Sequence, residues 1–397
     1  MDSASVRPVA HVALFLADLT GGGAERAMLN LGEGIARKGV RVDLVLSSKE
    51  GDYVNEIPAN MNLVDLRSGR VLRAIAPLVR YLRHFRPDVM LSTLHHACAA
   101  ASFANAIADT DTALFLRESS TPSARSAAVL DVRAHVLHAA IRWAYKRADG
   151  VIAVSDGVAD DLQEVFDVPR EKLWTLYNPV VTSNLTELAA IDPHEPWFDP
   201  DEPPVVLGAG RLRDYKGFMT LLEAFAHVRS ERAVRLMIVG EGPQREALQA
   251  RAVALGVDGD VAFPGFVANP FAYMRRASVY VLSSHFEGLP GTLIQAMACG
   301  CPVVATDCRS GPAEILENGR FGDLVGVGDA LAMARAIVRA LDEPLVAPLE
   351  LEARAARYGV EPVVSAYLKA FGEVLTSKRR SIRSADPTPR GNVRDSL

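Results

Sequence analysis

The stretch SSHFEGLPGTLIQAMACGCPVVATDCRSGPAEIL, residues 283–316, decides the fold of this chain. It places a Gly/Pro loop carrying one acid, Glu287, ahead of a short helix expected over residues 293–299. A buried strand follows at 302–305, then a second Gly/Pro turn at 310–312. A loop of this composition opening a helix leaves backbone N–H groups unpaired, and such groups suit a phosphorylated ligand. The single carboxylate beside them is an acceptor for sugar hydroxyls.

The same alternation runs in both directions from this stretch. Strands are expected from 205 and at 234–240, 261–264 and 279–283, with helices at 217–230, 243–255, 329–341 and 347–371. In the first half, the apolar run 9–16 reads as a strand buried on both faces, Gly21–Gly23 as a turn and 24–38 as a helix. Further strands are expected at 40–46, 62–66, 89–92, 112–117 and 150–155. Alternating strands and helices imply an α/β fold with parallel sheets covered on both faces. The Pro-, Asp- and Glu-rich residues 182–204 interrupt the pattern. The expected organisation is two doubly wound, Rossmann-like domains facing a cleft, residues 1–181 and 205–346, joined by the linker 182–204. A helical segment 347–376 that can cross back to the first domain comes next, then a disordered basic tail, 377–397. Sheets of this kind bind ligands at the carboxyl ends of their strands.

Composition narrows the function. The 397 residues carry 48 acidic and 43 basic side chains, a net charge of −5, which argues against nucleic acid as the main partner. No apolar run is long enough to span a bilayer. The amino-terminal apolar run contains His11 and Asp18 and reads as a strand rather than a signal peptide. Cys299, Cys301 and Cys308 have a spacing that fits no common zinc pattern, so all four cysteines, with Cys98, are expected as buried thiols in a reducing cytoplasm.

Cations mark the second domain. In GAGRLRDYKGF, a Gly-rich strand end at Gly210 precedes Arg211, and Lys216 stands just before a helix. Loss of a diphosphate leaving group needs positive charge where the negative charge develops; a guanidinium offers a planar fork and an ammonium a point charge. Together with residues 283–316, this G-R-L-x3-K-G pattern resembles the retaining glycosyltransferases of family 4, enzymes of the two-domain GT-B architecture. The resemblance extends over about residues 9–375, specific in the second half and loose in the first.

The resemblance implies that Arg211 and Lys216 grip the donor diphosphate of a nucleotide sugar. It implies that Glu287 contacts the donor sugar while the loop Gly288, Leu289, Pro290, Gly291, Thr292 and Leu293 supplies N–H groups. The family's second acid, eight residues on, is here Gln295. Its amide can still accept and donate, so ribose binding is expected to survive without the second negative charge. Glu241, before Gly242-Pro243, lies near the nucleotide by the same comparison, and Phe266 and Val267 lie where relatives hold the base. Glu314 matches a family acid whose expected role is to cap a helix start. No bound metal is expected.

The first domain is less specific. Gly21-Gly22-Gly23-Ala24-Glu25-Arg26 lacks the last glycine of the dinucleotide fingerprint, but it resembles the family loop that points into the cleft. Gly22, Gly23 and Glu25 are therefore acceptor-side candidates. So are His96, the better family match of the His95–His96 pair, Arg117 and Glu118, all of which follow strands; each fits a structural role equally. Two basic stretches, 70–86 and 133–147, contain no acid. They read as surface helices, the first kinked or restarted at Pro77, or as a face for anionic lipid.

The expected reaction moves a sugar, from UDP first and GDP next, to a hydroxyl of a glycan or lipid-linked acceptor, with retention. The protein is placed in the cytoplasm or on the inner face of the membrane. Three alternatives stay open. A sugar phosphorylase would release sugar 1-phosphate. An epimerase needs an acid–base pair not evident here. A non-catalytic sugar-nucleotide binder is supported only by Gln295.

Overall fold

The computed structural model describes residues 7–123 and 132–385. Two parallel sheets organise it. The first has order β3-β2-β1-β4-β5-β6-β7. Its strands are β1 His11–Leu16, β2 Arg41–Leu46, β3 Asn62–Asp65, β4 Val89–Thr93, β5 Ala113–Glu118, β6 Gly150–Ala153 and β7 Leu173–Thr175. The second has order β10-β9-β8-β11-β12-β13. Its strands are β8 Val205–Ala209, β9 Arg235–Val239, β10 Val261–Gly265, β11 Val279–Leu282, β12 Val303–Thr306 and β13 Asp323–Val325. Every pairing is parallel, so each strand returns through a crossover.

The central strands are apolar up to their carboxyl ends because both faces are covered. Val12 to Leu16 of β1 are all at 0% exposure. The strand order also sets the site, because β10, β9, β8 and β11 bring four separate segments into one row at their carboxyl ends.

Several details differ from the sequence reading. Each sheet has one further strand, β7 and β13, both three residues long and both at an edge. Too short to show a period, they are recruited by the neighbouring strand. The basic stretch after residue 70 is a 3-10 turn, Val71–Ala74, followed by a helix, Ile75–Phe85, with Pro77 in its first turn, where a missing N–H costs nothing. The linker holds a short helix, Leu185–Ala189.

The expected helix 347–371 is two helices, Pro348–Ala355 and Val360–Ala385, separated by the 3-10 turn Ala356–Tyr358. At the break, Val180 and Val181 donate backbone bonds to the Tyr358 carbonyl, fastening the passage between the two halves. The last helix then lies on the first sheet. Phe371 packs on Phe115 with ring centroids 4.7 Å apart, and Val364 and Val360 press on Gly34, where a Cβ would meet each at 2.6 Å. This helix corrects the assignment of 377–397 as a disordered tail, since it continues to Ala385. Lys378 anchors it by donating to the Thr112 carbonyl at 3.1 Å and to Asp149 at 3.0 Å. The remainder of that tail, 386–397, lies outside the described residues. So do residues 124–131, just before the second basic stretch, which forms the helix Val132–Arg147. The four cysteines are buried free thiols.

Candidate active site

Lys216 and Glu287 are far apart in sequence and are brought together by backbone stitching. After β8 the chain passes Gly210 and turns through the 3-10 segment Asp214–Lys216. Gly217 follows with φ +64°, and a Cβ there would lie 2.0 Å from the Ser283 carbonyl oxygen, so the loop after β8 rests directly on the end of β11. His285 N–H donates to the Tyr215 carbonyl at 2.7 Å, Ser283 Oγ to the Lys216 carbonyl at 2.8 Å, and the rings of Tyr215 and Phe286 stack 5.1 Å apart. Lys216 Nζ then donates to Glu287 Oε1 at 2.7 Å, and Ser284 Oγ donates to the same oxygen at 2.7 Å. Burial alone would depress the lysine pKa; the adjacent Glu287 charge outweighs it and raises the pKa above the ordinary value. Lys216 is therefore an ammonium at neutral pH, with two of its three protons still to place.

The loop then reaches the helix Gly291–Ala298, whose N-terminus has no side-chain cap. Among the described residues, the N–H groups of Gly288, Leu289, Gly291, Thr292 and Leu293 donate to nothing. With the helix dipole behind them, they form an anion-binding edge. Leu289, Pro290 and Leu293 are buried, so they serve through backbone and packing rather than through side chains. Thr292 Oγ1 accepts from Tyr280 OH at 2.7 Å and keeps its own proton free. Gln295 is half-buried, and its amide has no hydrogen-bond partner among the described residues.

The rest of the row follows the sheet. Arg211 is exposed, and its guanidinium has no ion-pair or hydrogen-bond partner among the described residues. Glu241, after β9, pairs with Arg245 at 2.8 Å. Phe266, after β10, is 79% exposed, with Val267 half-buried beside it. From β10 to β11 the order is an open aromatic ring, an acid, two cations, then an acid with free N–H groups. That series can accommodate a base at one end, a diphosphate at the cations and a sugar at the last acid.

The first sheet ends differently, and two expectations are corrected. Arg117 is 1% exposed; it donates to Thr93 Oγ1 at 3.0 Å and to the Asn178 side-chain carbonyl. Glu118 is 2% exposed and accepts from His95 Nε2 at 2.6 Å, Tyr145 OH at 2.8 Å, Ser119 N–H at 3.0 Å, and Ser120 N–H and Oγ at 3.1 and 3.0 Å. Burial would raise its pKa, but the His95 charge and these donors outweigh it and hold the carboxyl at about 2. Arg117 and Glu118 are thus turned inward and satisfied, not presented to an acceptor. His95, not His96, is wired to Glu118; His96 is exposed on the first turn of the helix His95–Ala108. The helix Gly23–Arg37 starts at the glycine loop, and a Cβ on Gly22 would lie 2.6 Å from Glu25 Oε2, so this carboxylate folds over its own helix start.

The two sheet ends meet. Glu314 Oε2 accepts the Asp156 N–H at 2.9 Å, so its cap is on the helix Asp156–Phe166 of the other half. Burial raises the Glu314 pKa. Thr121 and Ser155, which carried no motif, also donate to the Glu287–Gly288 loop. Ser155 has a sequence signal only as a helix N-cap.

Residues 21–184 match the model for Glycosyltransferase Family 4, and residues 203–343 match that for Glycosyl transferases group 1. A Campylobacter jejuni N-acetylgalactosamine-N,N'-diacetylbacillosaminyl-diphospho-undecaprenol 4-alpha-N-acetylgalactosaminyltransferase is 31% identical over 50% of this chain and 52% of its own length. The Rhizobium meliloti lipopolysaccharide core biosynthesis glycosyltransferase LpsE is 35% identical over 45% of this chain and 52% of its own. The matched region thus spans about half the length of these relatives. The Anabaena protein Alr3699/HepE, solved in complex with UDP, superposes with a TM-score of 0.73 at 20% identity, covering 93% of this chain and 100% of that one. Its likeness is one of fold, the two-domain GT-B architecture. With one model on each half, the chain belongs to the family 4, group 1 glycosyltransferases.

Proposed function

We propose that this protein is a retaining glycosyltransferase. It moves a hexosyl or N-acetylhexosaminyl unit from a nucleotide diphosphate sugar, UDP-linked first and GDP-linked next, to a hydroxyl of a glycan or lipid-linked acceptor in cell-surface polysaccharide or glycoconjugate synthesis. One observation carries the reading: the Arg211 guanidinium, Lys216 with two protons beyond its bond to Glu287, and a run of N–H groups without acceptors among the described residues converge on the carboxyl end of one sheet, beside a single carboxylate. The Campylobacter relative, named for transfer to a diphospho-undecaprenol-linked sugar, and the UDP bound by the Anabaena protein support this substrate class.

In this reading the base lies along Phe266 and Val267, Gln295 holds the ribose, and Arg211 with the free protons of Lys216 holds the diphosphate. Glu287 receives hydroxyls of the sugar. The bond from the anomeric carbon to the diphosphate oxygen breaks, and its electron pair leaves with the diphosphate. The acceptor oxygen bonds that carbon from the same face and passes its proton to a donor phosphate oxygen. The two cations supply the charge stabilisation, so the reaction needs no metal and survives EDTA.

A membrane-surface acceptor suits one face of the first domain. The stretches 70–86, 95–108 and 132–147 contain no acid. On them Leu72, Ile107 and Val136 are 73%, 53% and 65% exposed, and exposed Phe103 and Trp143 stack at 4.6 Å. Apolar side chains among cations fit peripheral binding to anionic lipid on the cytoplasmic face. No helix among the described residues is long and apolar enough to cross a membrane. The second reading, a catalytically weak sugar-nucleotide binder, is favoured only by Gln295 in place of an acid.

The test is turnover by EDTA-treated protein given UDP- and GDP-sugars and polyprenyl-diphosphate glycans, with the product anomer assigned by NMR. A product of retained configuration is expected. An inverted product would contradict the mechanism, and nucleotide binding without turnover would favour the second reading.

A further inference from the structure

Two hydroxyls of the first domain hold the loop that carries Glu287. Thr121 Oγ1 donates to the Glu287 carbonyl oxygen at 2.6 Å, and Ser155 Oγ donates to the Gly288 carbonyl oxygen at 2.8 Å. Both residues are fully buried. A hydroxyl has one proton to place. Ser155 Oγ accepts the Val158 N–H at 3.3 Å, which leaves its own proton for the Gly288 carbonyl, whereas Thr121 Oγ1 has a second acceptor, Ser310 Oγ, at 3.1 Å, farther away than the Glu287 carbonyl. The shorter contact of each hydroxyl is thus to one of two consecutive carbonyls of the other domain. The approach is close: a Cβ on Gly288 would lie 2.3 Å from the Ser119 carbonyl oxygen.

In a trans peptide the C=O and N–H point in opposite directions. Anchoring the Glu287 and Gly288 carbonyls toward the first domain turns the N–H groups of Gly288 and Leu289 away from it. Gly288 and Leu289 are buried, yet neither N–H has an acceptor among the described residues. A buried N–H without a partner is rare in a folded protein, so an acceptor is expected to arrive with a ligand.

We propose that Thr121 and Ser155 are positioning residues, a pair of interdomain hydroxyls that aim the Gly288 and Leu289 N–H groups at the diphosphate or sugar oxygens of the donor. The donor site is then complete only when the two domains are docked. Neither hydroxyl touches the reacting atoms. The inference rests on the nucleotide-sugar reading above.

The test uses the full chain and Thr121→Val, which keeps the shape and removes the proton, with Thr121→Ser as the restoring variant. Ser155→Ala is less clean because Ser155 also caps a helix. Two quantities are measured. Hydrogen exchange over residues 284–292 without ligand is expected to be about fivefold faster in Thr121→Val, the loss of one hydrogen bond. Calorimetric affinity for UDP-N-acetylglucosamine or GDP-mannose, whichever the wild type binds, is expected to fall about tenfold, with Thr121→Ser within about twofold of wild type. A merely structural role would lower the melting temperature without this selective loss. Wild-type exchange and wild-type affinity in Thr121→Val would overturn the clamp alone. A wild-type protein that binds neither nucleotide sugar would overturn the donor reading, and with it the aim assigned to these N–H groups.

Discussion

At the carboxyl end of β11, Glu287 is held by one lysine and one serine, and neighbouring N–H groups have no acceptor. At the carboxyl end of β5, Glu118 takes five hydrogen bonds and Arg117 is sealed between Thr93 and Asn178. Both places put an acid and a cation at the carboxyl end of a strand in the same kind of sheet. What separates them is the supply of internal partners. A charge whose bonding capacity is filled from within stabilises the fold, whereas one left with free protons or free neighbours can bind. Position at a strand end therefore selects candidates but does not choose among them.

The sharpest break of this comparison is removal of the cations. Arg211→Ala is expected to lower kcat/KM about 100- to 1000-fold, the scale of losing one donor to developing charge, with unfolding unchanged because the Arg211 side chain has no partner among the described residues. Lys216→Ala should match the kinetic loss, with some loss of stability because Glu287 then lacks its ion pair. Steady-state kinetics beside thermal melts check both; equal kinetic losses for Arg117→Met and Arg211→Ala would erase the distinction.

Next comes the opposite case. Arg117→Met leaves buried Thr93 and Asn178 acceptors unpaired and should cost about 1–3 kcal/mol in urea unfolding, while nucleotide affinity of the folded protein stays within about twofold.

The pH dependence sharpens the same point. The Glu118 carboxyl is held at about 2 against an ordinary 4.5, so its contribution is fully present above about 4.5 and is lost as pH falls toward 2. Buried Asp43 acts in the same sense. Burial opposes its charge, but bonds from His11, Tyr81, Arg41 and Asn62 outweigh that and lower its pKa. Acid melts of Glu118→Gln should show a flatter loss of stability below pH 4.5 than wild type; an unchanged slope would contradict the assignment.

The smallest effect is at Gln295. Gln295→Glu adds a charge-assisted bond to the ribose and should tighten nucleoside diphosphate binding about threefold, measured by calorimetry. Weaker binding would mean that the second charge is repelled by the diphosphate.

Legibility in the sequence follows the same divide. The strands of five or six residues and the alternation were readable because parallel strands buried on both faces are mostly apolar. The edge strands β7 and β13 were not, since three residues show no period. Residues 210–217 and 283–295 were readable because their glycines, cations and acid are set by local backbone demands. The inward fate of Arg117 and Glu118 was not, because it depends on Asn178, Tyr145 and His95, which lie elsewhere in the chain. Nor could the break at residues 356–360 or the cross-domain bonds of Thr121, Ser155 and Glu314 be read, since they depend on how the halves dock.

The most direct test of the central claim is a calorimetric titration of the EDTA-treated protein with UDP, GDP and ADP, repeated on Arg211→Ala and Lys216→Ala. The account predicts selective binding of one nucleotide, weakened at least about tenfold by either substitution. Binding of none at millimolar ligand, or binding indifferent to both substitutions, would contradict it.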